Sequence, residues 1–227
     1  MMRKVVVCGV VAVVALAGMA GTAYAKPETI KLNEPDRGKG MPLMQALANR
    51  KSERNLAAGK LTVQQLSELL WAANGVNRPD GKRTAPAAMN IQAVDIYVVL
   101  EEGVYLWDPA KNELQGVAAG DHRKAAGGQP FVAVAAVNLV YVLDLDKYKA
   151  STGHAAKASR EDKVKWAGVT VGAQAQNANL YCASEGLGAV VRGSVDAAAF
   201  GQAAGLRAEQ VVILAQTIGV VAAKKVE

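Results

Sequence analysis

The chain has 227 residues, of which 51% are hydrophobic, and carries 26 Lys and Arg against 20 Asp and Glu for a formal charge of +6. The basic groups are scattered among acidic ones, and the aromatic residues, 5% of the total, do not interleave with them. That pattern argues against a nucleic-acid surface or a base-stacking platform.

Arg3 and Lys4 precede an apolar run from Val5 to Ala17, and Ala23-Tyr24-Ala25 offers small residues for cleavage. Residues 1–25 therefore read as a secretory signal peptide. The run is shorter than the ~20 residues a spanning helix needs, so no stable membrane span is expected after its removal. What remains, roughly 200 residues with a charge of +4, suffices for one domain exported to a bacterial periplasm. Cys182 is then the only cysteine. It can form no internal disulfide, and its apolar helical setting predicts a buried, inert thiol.

Residues 26–40 contain Pro27, Pro35, Gly38 and Gly40 without an apolar period, and read as an extended arm before a single domain at 41–227. Pro42 opens a short helix in which Met44, Leu47 and Ala48 share one face, and the pattern stops at Asn49. Arg50-Lys51-Ser52-Glu53-Arg54 follows. In an extended chain residues i, i+2 and i+4 share a face, so Arg50, Ser52 and Arg54 can converge on one anion such as a terminal phosphate. The bland alternative is a solvated basic turn.

Thr62 with Gln65 forms a capping box for a second helix whose buried stripe is Leu66, Leu69, Leu70 and Ala73, ending at Gly75. A turn-rich loop delivers the chain to Pro86-Ala87-Ala88-Met89-Asn90-Ile91-Gln92, followed by β-rich runs at 94–100 and 103–107 joined as a hairpin. A strand at 114–117, a short helix at 121–128 and a doubly buried strand at 137–143 come next. Residues 149–158 lack periodicity and predict a mobile loop. From Ser159 to Ala183 runs the longest helix, apolar on two sides, and so either central or covered by a partner. Gly186-Leu187-Gly188 ends it, a short helix capped by Ser194 or Asp196 runs to Gly205, and 211–220 is a last strand before Lys224 and Lys225. Mixed order without strict alternation predicts an α+β fold, a largely antiparallel central sheet flanked by helices.

In this order the elements and motifs resemble the nitroreductase-like flavoprotein superfamily, in particular its branch of thiazole- and oxazole-forming dehydrogenases. Arg50, Ser52 and Arg54 reproduce the family's Arg-x-Ser-x-Arg segment, and Pro86, Asn90 and Gln92 keep the skeleton of its Pro-Ser-x-Gly-Asn-x-Gln-Pro signature, from which Ala87, Met89 and Ala93 depart. Gly186-Leu187-Gly188 matches its glycine turn after the long helix, which places Val191-Arg192-Gly193 where the chain would pass the flavin N5. Lys224 or Lys225 would complete a phosphate cluster begun by Arg50, Lys51, Ser52 and Arg54. Asn90 and Gln92 would face the flavin ring and ribityl chain, making a second wall of the same site.

The resemblance implies FMN, which would take a hydride at N5 from NAD(P)H or another donor and pass it to a small acceptor such as a nitro compound or quinone. It also implies a homodimer with the flavin at the subunit interface. No acid–base side chain is required, and His122 and His154 lack a second ligand at metal spacing, so they read as surface residues. NAD(P)H is scarce outside the cytoplasm, which widens the choice of donor. The alternative is a module that binds flavin or another phosphorylated ligand without catalysis, suggested by Ala87, Met89 and Ala93.

Overall fold

The structure, a computed structural model, describes residues 25–223. The expected signal peptide at 1–25, apart from Ala25, and Lys224 and Lys225 lie outside the described residues. No helix among the described residues is long and apolar enough to cross a membrane.

The β-rich runs become β3 (Val94–Val99), β4 (Gly103–Asp108), β5 (Glu113–Ala119) and β6 (Val137–Asp144). With β1 (Ile30–Lys31), β2 (Leu56–Ala57), β7 (Leu187–Arg192) and β8 (Gln210–Val221) they form one sheet in the order β1-β5-β4-β3-β6-β8-β2, with β7 also on β8. Every pairing is antiparallel. All eight residues of β6 are buried, because its Val and Leu face apolar layers on both sides of the sheet.

Around the sheet lie α1 (Leu43–Asn49), α2 (Val63–Asn74), α3 (Pro130–Val134), α4 (Asp146–Lys149), α5 (Gly153–Lys157), α6 (Arg160–Ser184) and α7 (Ala197–Ala204). The capping box starts α2 as the sequence predicts: the Gln65 amide donates to Thr62 Oγ1 at 3.1 Å, and the Thr62 amide donates to Gln65 Oε1 at 2.9 Å. Its stripe, Leu66, Leu69, Leu70 and Ala73, joins Ala167, Val171, Ala175, Ala178 and Cys182 of α6 against Ile96, Leu139, Tyr141 and Ile218. The opposite face carries a second core in which Tyr97, Val140, Val142 and Ala215 meet Phe200 of α7; the Tyr97 and Phe200 rings meet edge to face at 5.7 Å.

The α+β architecture with its long helix is as the sequence implies. Four differences have local causes. Residues 149–158 are not an open loop but include α5 and the end of α4; Tyr148 and His154 pack their rings near Trp166 of α6 at 6.0 and 5.9 Å, contacts that hydropathy alone does not reveal. The helix expected at 121–128 is a single 3-10 turn, Arg123–Ala126. Residues 187–192, read as a helix end and a passing segment, are a strand whose small residues Gly188 and Ala189 hide its period, and the short elements β1, β2 and α3 carry too few residues to show one. Finally, the shared face of α1 is not buried: Met44 is 75% and Leu47 is 42% exposed, and neighbouring Leu43 is 63% exposed.

Candidate functional site

Helix α1 ends at Arg50, whose φ of −60° and ψ of 122° send the basic pentad out as extended chain. The pentad is laced to the sheet: the Glu53 amide donates to the Ala189 carbonyl of β7 at 3.0 Å, and the Ala222 amide donates to the Asn55 carbonyl at 2.9 Å. Gly188 permits this approach. A Cβ there would stand 2.5 Å from Leu56 Cδ2 and 2.9 Å from Glu53 Cγ.

Alternation in the pentad separates committed from free groups. Lys51 Nζ pairs with Glu53 Oε2 at 2.9 Å, and that lysine holds the Glu53 carboxyl below the usual range. Among the described residues the side chains of Arg50, Ser52 and Arg54 have no hydrogen bond or ion pair. Arg50 and Lys51, with Asn49, Asn179, Cys182 and Leu187, line a cavity of about 180 Å³ at the C-terminal end of α6. Ser52 and Arg54 are exposed and do not line it. Two guanidinium forks and a hydroxyl without partners among the described residues, on one short extended segment, fit an anion such as a terminal phosphate.

Asn90 and Gln92 precede β3. Met89 and Asn90 have φ of 51° and 55°, left-handed backbone that asparagine tolerates far better than methionine. Gln92 Nε2 donates to Asn90 Oδ1 at 3.1 Å, which leaves one donating and one accepting amide end outward, and the Gln92 carbonyl accepts from Lys147 Nζ at 3.2 Å.

Of the third segment, Val191 is half-buried and Gly193 exposed, while Arg192 is buried with its side chain turned into the sheet. Its Nε donates to Thr217 Oγ1 at 2.8 Å and its Nη1 to the Ser194 carbonyl at 2.7 Å; no carboxylate pairs with it among the described residues. Burial pushes the guanidinium down to about 10. The Arg192 side chain therefore braces the turn after β7, and at 191–193 it is backbone that remains on offer.

The structure brings the pentad beside β7 and the end of β8, but it does not bring Asn90 and Gln92 to the pentad. The pentad lies where Leu56 pairs with Val221, beyond the Val137 end of β6; the Ala93 carbonyl accepts from the Asp144 amide at the other end. The seven steps of β6 separate those ends by ~23 Å. The two segments of one chain thus lie at opposite ends of the sheet. The i, i+2 spacing of Lys51 and Glu53 was the sequence signal for the paired side of the pentad.

An α+β protein with an extended basic segment at one end of an antiparallel sheet and a pair of side-chain amides at the other is the class this geometry defines. The model of the Nitroreductase family matches residues 47–220, and the chain belongs to that family. A candidate nitroreductase of Methanocaldococcus jannaschii is 28% identical over 177 residues, 74% of this chain and 85% of its own. The crystal structure of a candidate nitroreductase from Ralstonia eutropha JMP134 is 41% identical with a TM-score of 0.79, covering 86% of this chain and 90% of that one. The NADPH:FMN oxidoreductase of Vibrio harveyi, solved with NAD+, shares the fold with 23% identity and a TM-score of 0.57, over 78% of this chain and 68% of its own. Family membership supports an oxidoreductase of the flavoprotein class.

Proposed function

We propose that the protein is an exported FMN-dependent oxidoreductase, of the branch that includes the thiazole- and oxazole-forming dehydrogenases, whose flavin site is completed by a second copy of the chain. The observation that carries this reading is that Arg50, Ser52 and Arg54, beside β7, have no side-chain partner among the described residues. Arg50, Ser52 and Arg54 would hold the FMN phosphate, joined by Lys224 or Lys225, and the backbone of Val191 to Gly193 would border the reactive edge. Lys51, committed to Glu53, contributes only its backbone and its charge. Asn90 and Gln92 of the second copy would meet the ring and ribityl chain through their free amide ends. Bound there, FMN supplies two-electron chemistry, taking a hydride from NAD(P)H or another donor and passing it to a small oxidised acceptor.

Two copies follow from distance, since ~23 Å of β6 keeps the two segments of one chain from sharing one isoalloxazine. The exposed apolar residues Leu43, Met44 and Leu47 of α1 and Val169 of α6 (68% exposed) supply a surface such a partner would cover.

Flavin absorbance of the purified protein, or FMN uptake by the apoprotein, tests the cofactor; absence of both sinks the proposal. Mixing tests the shared site. Arg50→Ala/Arg54→Ala and Asn90→Ala/Gln92→Ala chains, each defective alone, should regain roughly a quarter of the wild-type sites when exchanged at equal amounts, because half the dimers are mixed and one of their two sites is intact. A site built within one chain regains nothing.

A further inference from the structure

Strands β3 and β4 pair only from Val99↔Val104 to Tyr97↔Leu106, whereas β3 stays paired with β6 as far as Val94↔Leu143. Before Tyr97 the strands part, and the gap is a cleft of about 240 Å³ lined by Arg83, Asp95, Trp107, Asp108, Gln115 and Lys147, with aliphatic wall from Val94, Ile96 and Leu106.

The charges in this cleft are unevenly matched. Asp95 Oδ1 accepts from Lys147 Nζ at 2.5 Å. Asp108 Oδ1 accepts the amides of Ala110 and Lys111 at 3.0 and 3.1 Å, and its Oδ2 accepts Gln115 Nε2 at 3.1 Å. The Arg83 guanidinium has no partner among the described residues, and its buried Nε finds no acceptor. Trp107 Nε1 is a second buried donor without an acceptor. Burial pushes Arg83 below its ordinary range, while Asp95 and Asp108 oppose that shift from a distance.

A half-buried guanidinium whose Nε is shut away from water without an acceptor is a costly arrangement that a planar acceptor relieves. The two aspartates disfavour a dianion, Lys147 compensates one of them, and the aliphatic wall suits a short carbon chain. The volume is below the ~300–1,000 Å³ of typical ligand pockets, so the ligand is small. We propose that this cleft binds the carboxylate of a small aliphatic acid, with Arg83 as its bidentate partner. Lys147 also bonds the Gln92 carbonyl, so the occupant would sit beside the segment that carries the amide pair. The site needs no flavin, and its failure would leave the flavin reading untouched.

Calorimetric titration of the full-length protein with butyrate and with its neutral isostere butyramide separates charge from shape. The wild type should bind butyrate at least about tenfold more tightly than butyramide, and Arg83→Gln should erase that difference. Equal binding of the two compounds, no butyrate binding, or unchanged butyrate affinity in Arg83→Gln would each overturn the proposal. If Arg83→Gln does not fold, Arg83→Lys, which keeps the charge but loses the fork, decides: several-fold weaker butyrate binding supports the site, and wild-type affinity refutes it.

Discussion

The two ends of the sheet differ in how their arginines and lysines are engaged. At the Asp144 end Arg207 bonds Asp144, Lys147 bonds Asp95, and Lys149 bonds Asp146 and Glu209. At the pentad end Arg50 and Arg54 have no partner among the described residues. Charge alone therefore does not mark a site; donors left without an internal acceptor are the ones a ligand can engage.

The largest test of that contrast removes the free donors. Arg50→Ala/Arg54→Ala should weaken FMN binding by about 3–6 kcal/mol if each guanidinium makes one charge-assisted contact, a loss of 100-fold or more in a fluorescence titration. Folding stability should change little, since neither side chain has an internal partner among the described residues. A variant that loses stability but keeps FMN would make the pentad structural and erase the difference between the two ends.

Gly188→Val asks whether the pentad end depends on close approach. The first added carbon already meets Leu56, Glu53 and Val221 within 3.2 Å, so a branched side chain should cost about 3 kcal/mol in urea denaturation and push the pentad from β7. Gly193→Ala, at a position with an added carbon no nearer than 4.0 Å to any neighbour, is the tolerated counterpart.

The pentad end also holds a paired group for comparison. Glu68, with a side chain 4% exposed, meets Lys39 Nζ at 2.7 Å and accepts from Tyr181 Oη at 3.0 Å and Gln64 Nε2 at 2.8 Å. Burial alone would raise its carboxyl, but these hydrogen bonds outweigh burial and the net shift is downward. A carboxyl lowered in the folded state stabilises above its unfolded value and loses that contribution as pH falls through the folded one. Glu68→Gln should thus cost about 2 kcal/mol at pH 7 and flatten the stability decline below pH ~4.5, read from urea midpoints across pH. FMN affinity should hold, which would separate the arm's anchor from the ligand's.

Much of this was legible in the chain. The capping box at Thr62, the stripe of α2 and the continuous apolar run of β6 each show a period long enough to read, and Arg50, Ser52 and Arg54 show their alternation. Less legible was anything fixed by distant partners. Strand β7 exists because β8 pairs along it, α5 is held near Trp166, and Arg192 turns inward because Thr217 and the Ser194 carbonyl accept from it. The separation of Asn90 from the pentad was hidden for the same reason: their order in sequence says nothing of which end of β6 each one meets.

The smallest expected effect completes the contrast from the paired side. Lys149, 60% exposed, bonds Asp146 at 2.8 Å and Glu209 at 3.2 Å. Exposed pairs gain little because water screens them and the long side chain loses freedom in forming them. Lys149→Ala should therefore shift stability by about 0.5 kcal/mol or less and leave both FMN and butyrate binding at wild-type values. A large loss of either ligand would mean that the network at the Asp144 end orders the Gln92 segment through Asp146, Arg207 and Asp144, where Arg207 bridges both aspartates. The two ends would then be coupled halves of one device, and commitment of a charge to an internal partner would no longer exclude it from function.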